Sequence, residues 1–145
     1  MSGDVLNLDL LTAGYAQEMV EKARGMTEGA NKSIEALERL VTKTLGVLQE
    51  QGIYAMILFL HSRSSTEKEL AKTIQASLSG LLRELPELRN NDQLPADDAQ
   101  LQEALKFFKE NILNDLDTLL LIRDLYEQTL IYARYGAKAA KNRGA

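Results

Sequence analysis

The chain has 145 residues, of which 45% are apolar and 26% charged, and its formal net charge is −4. That length fits one domain with enough apolar side chains to bury a core, and the acidic balance argues against a general nucleic-acid binder. Cysteine is absent, which excludes disulfides, thiolate metal sites and a cysteine nucleophile.

Ala, Leu, Glu, Lys and Gln dominate, and Pro86 and Pro95 are the only prolines. These are helix formers, and alternating Val/Ile/Thr runs bounded by turn residues are missing. The chain is therefore expected to be all-α: a single-domain bundle over residues 1–145, of about five to six helices with a long C-terminal helix. Asp4 and Asp9 stand where a signal peptide would be cationic, and no apolar stretch is long enough to span a membrane. A cytoplasmic protein with no membrane partner is the expectation.

In chain order, a first helix is predicted from about Leu8 to Gly25, with Leu11, Tyr15, Met19 and Ala23 on one face. Gly25, Gly29 and Asn31 mark a break. A second helix runs from about Lys32 to Gln51, where Ile34, Leu37, Val41, Leu45 and Leu48 recur at helical spacing. Gly52 is read as its left-handed stop. Ile53 to Leu60 is an uninterrupted apolar run of eight residues, too short for a membrane; with His61 and Ser62 it is read as a fully buried third helix. Ser65 or Thr66 can cap a fourth helix that carries Leu70, Ile74, Leu78, Leu81, Leu82 and Leu85 and ends at Pro86. Residues 86–96 read as a linker loop. Asp97 or Asp98 can cap a fifth helix with Leu101, Leu105, Phe108 and Ile112. Asn114 or Asp115 can cap the last, which runs to about Ala140 with Leu119, Ile122, Tyr126, Ala133 and Ala137 as its stripe.

Catalytic patterns are sparse. His61 is the single histidine, no HExxH or ExxH spacing occurs, and no Gly-rich phosphate loop follows a strand. Acidic pairs such as Glu35/Glu38, Glu67/Glu69 and Asp97/Asp98 fall where helix faces and helix starts place them. Nothing assembles a nucleophile, a base and an orienting group, so neither an enzyme nor a cofactor is expected.

Cationic faces are the stronger signal. Arg134, Lys138 and Lys141 lie at i, i+4 and i+7, with Arg123 on the same face further back. After Glu127 no acidic residue follows, so the end of the chain is basic and the rest acidic. Lys32, Arg39 and Lys43 form a similar stripe on the second helix, and Arg63, Lys68 and Lys72 cluster around the next connector. A solvated helix face is the ordinary reading of one such stripe; three in a small domain point to a phosphate-binding surface. Tyr132 and Tyr135 stand beside the last stripe, where tyrosines either stack on bases or hydrogen-bond at the rim.

Two segments resemble a known family. Gln51-Gly52-Ile53 through Phe59-Leu60-His61-Ser62-Arg63 is similar to its "N-G-L…F-L-K-S-K" segment. Leu125-Tyr126 through Leu130-Ile131-Tyr132-Ala133-Arg134-Tyr135-Gly136-Ala137 is similar to its C-terminal helix, roughly "E-A-L-x-L-x-x-W-L-K-R-F-A". The family is the small helical subunit of the type III-B CRISPR effector (Cmr) complex. Order and spacing agree too, from an opening helix with a Tyr15-Ala16 pair to the long last helix. The family's glycine falls on Gly52, its Phe-Leu pair on Phe59-Leu60, its two lysines on His61 and Arg63, its tryptophan on Tyr132 and the next lysine on Arg134. The arginine and phenylalanine of the last motif are replaced by Tyr135 and Gly136, and the asparagine by Gln51.

The resemblance implies a non-catalytic subunit in antiviral defence. It implies stacking with other copies in an inner filament, beside the backbone and large subunits that hold guide and target RNA, and sequence-independent contact with the target backbone. The residues expected to carry RNA binding are Arg134, Lys138, Lys141, Arg63, His61, Lys43 and Arg39. The competing expectation is a helical protein–protein adaptor that ignores RNA; an all-helical metal-dependent hydrolase stands third, since one histidine cannot build its cluster.

Overall fold

Asn7 opens the first helix by accepting a hydrogen bond from the Leu10 amide at 3.0 Å, an N-cap that satisfies one of the free donors of the first turn. The helix α1 (Leu8–Arg24) is followed by α2 (Ala30–Gln51), α3 (Ile53–His61), a 3-10 turn (Ser65–Glu67), α4 (Lys68–Glu84), α5 (Leu101–Asn111) and α6 (Leu116–Gly144). The computed structural model describes residues 7–26 and 30–144, with side chains described over 7–26 and 32–141. All the regular structure among the described residues is helical, six α-helices with a long C-terminal one, as the composition implies.

Ile34, Leu37, Val41, Leu45 and Leu48 are all buried on α2, joined by Leu40 and Thr44. Each such apolar side chain contributes roughly 1.5–3 kcal/mol by leaving water. Their counterparts on α6 are Ile122, Leu125, Tyr126, Leu130, Ala133 and Ala137. Thr44 and Thr129 bury their hydroxyls at no loss, each donating at 2.7 Å to the carbonyl four residues back, Leu40 and Leu125.

α6 lies against both α1 and α2. It runs antiparallel to α2: Arg123 meets the end of that helix at Gln49, and Lys141 meets its beginning at Glu38. Small residues allow the close approach to α1; a Cβ on Gly136 would meet Val20 Cγ2 at 3.4 Å. α4 packs on α1, where the Tyr15 ring lies on Gly80, and the Tyr15 hydroxyl donates to Glu84 Oε2 at 2.9 Å. α3 bridges α2, α4 and α5 at the other end.

Several boundaries differ from the sequence expectation in informative ways. α1 stops at Arg24 with Gly25 as its C-cap, Asn31 belongs to α2, and Gly29 lies outside the described residues. Gly52 has φ 99° and ψ −178°, an extended region open only to glycine rather than the left-handed helical one. That one residue ends α2 (its amide bonds Leu48 O at 3.0 Å) and starts α3 (its carbonyl takes the Met56 amide at 3.1 Å). α3 is not fully buried. Ile53, Met56, Ile57 and Leu60 face the core, but Tyr54 and Leu58 are 43% and 41% exposed. Ser65 and Thr66 form the 3-10 turn instead of capping α4, and Gln100, not Asp97 or Asp98, holds the N-cap position of α5. Asp115 does cap α6, taking the Thr118 hydroxyl at 3.1 Å.

Residues 86–98 hold no helix, yet they are tied down at many points. Asn91 donates to Asn111 Oδ1 at 3.0 Å, Asn111 donates to Gln93 Oε1 at 2.9 Å, and Arg83 reaches Pro95 O and the Asp97 carboxylate. Leu88 and Pro95 are buried beneath the turn.

Candidate nucleic-acid interface

The cations fall into three groups that the fold treats differently. On α6, Arg134 and Lys138 are exposed, one turn apart, and make no ion pair among the described residues. Tyr135 between them is 64% exposed. Lys141, one turn on, turns back to α2: its Nζ lies 3.2 Å from Glu38 Oε1 and 3.8 Å from Glu35 Oε2. Arg123 is also withdrawn from the stripe, donating to the Gln49 carbonyl at 2.9 Å and so closing the end of α2. Tyr132 takes the rim role, its hydroxyl donating to the Asp9 carboxylate, a bond that raises its pKa.

On α2 the stripe is neutralised in place. Arg39 stands 4.0 Å from Glu35, and Lys43 donates to Glu67 Oε2 at 3.1 Å. Glu67 also receives Arg63, whose Nη1 lies 3.3 Å from its other oxygen. Burial alone would raise the Glu67 carboxyl, but the hydrogen bonds and charges of Lys43 and Arg63 outweigh it and hold it below its ordinary value of 4.5. One acidic side chain thus joins the second-helix stripe to the connector cluster.

Arg63 is held on every side. Its Nε donates to Phe59 O at 3.2 Å, Nη2 to Ser62 Oγ at 3.0 Å, and its guanidinium stacks on the Phe59 ring at 4.1 Å. His61 is half-buried; burial lowers its pKa below 6.5, and its Nε2 is sealed from solvent without a hydrogen-bond partner. Burial therefore favours the neutral imidazole over the cation.

His61 and Arg63 line a groove of about 390 Å³ with Lys68 and Lys72 of α4 and the Asp98–Gln100 stretch before α5. Lys68 and Lys72 were legible as neighbours of Arg63, themselves at i, i+4 spacing; the return of residues 98–100 across them has no local sequence signal. The seven expected residues meet different fates. Lys43 meets Arg63 through Glu67, Lys141 meets Arg39 through Glu35, and Arg134 and Lys138 stand alone on α6.

Among the described residues no group of three or more His, Asp or Glu side chains converges to hold a metal ion, and no helix is long and apolar enough to cross a membrane. Comparison with protein-family models, with curated proteins and with solved structures finds no match to this chain.

Proposed function

We propose that the chain is a non-catalytic helical subunit that binds the backbone of single-stranded RNA, acting as the small subunit of a type III-B CRISPR effector beside its backbone and large subunits and other copies of itself. One observation carries the RNA contact: Arg134 and Lys138 are exposed, one turn apart and unpaired among the described residues, with the ring of Tyr135 between them. An arginine and a lysine so placed can each neutralise one phosphate, and the tyrosine offers a face for a base. The assembly itself rests on the two segments that resemble the family, Gln51 to Arg63 and Leu125 to Ala137.

Replacing Arg134 and Lys138 together by alanine is expected to weaken binding to mixed-sequence single-stranded RNA. The magnitude of the log–log salt slope should fall by about 1.4, two phosphates at about 0.7 each, with the far-ultraviolet circular dichroism unchanged. Unaltered affinity in a folded variant overturns the assignment. Affinity purification of the tagged protein tests the assembly: guide RNA with backbone and large subunits is the expected recovery.

A protein–protein adaptor is the second reading. It is favoured by the pairing of Lys141, Lys43, Arg63 and Arg39 with acids of the same chain, and by the exposed apolar side chains Leu58, Leu116 and Leu120. An adaptor would be indifferent to RNA and would recover proteins alone.

A further inference from the structure

We propose that the groove between the end of α3, the start of α4 and the start of α5 is a second, separate binding site, built for a phosphomonoester. Arg63, Lys68 and Lys72 converge on it from two elements, and Asp98 is the one acidic residue among those that line it. The cations are not equivalent to a loose surface cluster. Arg63 is fixed by the Phe59 carbonyl and ring, so its guanidinium loses little freedom on meeting a ligand, and three of its five N–H groups are engaged while two remain to donate. Lys68 has no ion pair among the described residues, and Lys72 lies 3.7 Å from an exposed Glu69, a pairing of little strength.

The ligand class follows from charge and size. Glu67 and Glu69 stand beside Arg63 and Lys72, so the selectivity rests on donors rather than on a large charge excess. The unpaired Lys68, the weakly paired Lys72 and the two free N–H groups of Arg63 suit the several acceptor oxygens and the charge of about −1.5 to −2 of a phosphomonoester at pH 7 better than a single carboxylate. At about 390 Å³ the groove lies at the small end of ligand pockets, roughly 300–1,000 Å³. That space suits a terminal phosphate and its sugar, not a length of strand, and Leu60, Ala71 and Ala99 give the sugar an apolar wall. His61 shares the lining, so its ring reports on whatever occupies the groove. The inference rests on the RNA reading only for the source of the phosphate, a strand terminus as opposed to a free nucleotide.

The test compares one single-stranded RNA with a 5′-phosphate and with a 5′-hydroxyl, by fluorescence anisotropy on the full chain. In parallel, AMP and inorganic phosphate are titrated while the His61 ring resonances are followed by NMR; as the single histidine of the sequence it needs no assignment. The expected result is roughly tenfold tighter binding of the phosphorylated end, the scale of one added charge-assisted hydrogen bond. The preference should vanish in Lys68→Ala/Lys72→Ala, whose side chains are exposed, and persist in Arg134→Ala/Lys138→Ala, which weakens both ends alike. A His61 shift with AMP or phosphate, lost in Lys68→Ala/Lys72→Ala but with no response to any RNA, upholds the groove and makes the free nucleotide its source, while the RNA reading falls. Equal affinity for both RNA ends together with an unmoved His61 resonance overturns the inference.

Discussion

At the scale of single residues, His61 and Gly80 are set by what surrounds them. Burial disfavours the imidazolium of His61, so its titration midpoint, read from the ring proton shifts, should lie below 6.5. Between 6.5 and the lower folded value the unfolded chain holds the proton and the folded chain does not. This contribution is therefore complete above 6.5 and is lost as pH falls through that window. Gly80 is a matter of contact. A Cβ there would sit 2.5 Å from Tyr15 Cε1, so Gly80→Ala must displace the ring and with it the hydroxyl bond to Glu84. Burial and that bond together push the Tyr15 pKa up to about 12. We expect a loss of about 1–3 kcal/mol in urea unfolding, largely absent when Tyr15→Ala is already present.

The next scale is that of the helices, and most of them were legible in advance. Helical spacing is a local signal: Ile34 to Leu48 and Leu70 to Leu85 place their own faces, and Gly25, Gly52, Pro86 and Asp115 mark ends that the chain respects. The burial of α3 was not legible, because Tyr54 and Leu58 stand in the same apolar run as Ile53 and Ile57 and only the position of α2, α4 and α5 decides which are covered. The caps at Gln100 and Glu67 escaped for a similar reason: nearby Asp97 is taken by Arg83, and the turn at Ser65 displaces the start of α4. Gly52 is where an element-scale prediction is sharpest. With φ 99° and ψ −178°, Gly52→Ala meets no steric obstacle from neighbours but a disfavoured backbone, which should cost about 1–3 kcal/mol in urea unfolding, with α2 and α3 retained by circular dichroism.

Across the whole molecule, positive charge is plentiful but largely committed. The positions of the cations were readable from helical spacing; their fates were not. Lys43 and Glu67 are 24 residues apart, and Lys141 and Glu38 are 103 apart, so no local pattern announces either pair. Glu67 joins two of the three stripes, and this makes it the most informative acid to remove. In Glu67→Gln, Lys43 and Arg63 lose their shared counter-charge. Such part-exposed pairs contribute little, so stability should fall by about 1 kcal/mol or less. On the proposed RNA-binding reading, affinity for single-stranded RNA, measured by anisotropy at low salt, should rise as the two cations are released.

The pairing of the first helix with the last governs how the chain is made. The Tyr132–Asp9 bond spans 123 residues, so α1 leaves the ribosome long before α6 exists to cover it. At about 5–20 residues per second the delay is roughly 6–25 s. Through that interval Ala16, Met19, Val20 and Ala23 present an apolar face without its final cover, which makes synthesis, rather than the finished fold, the stage at which this protein is most exposed to aggregation.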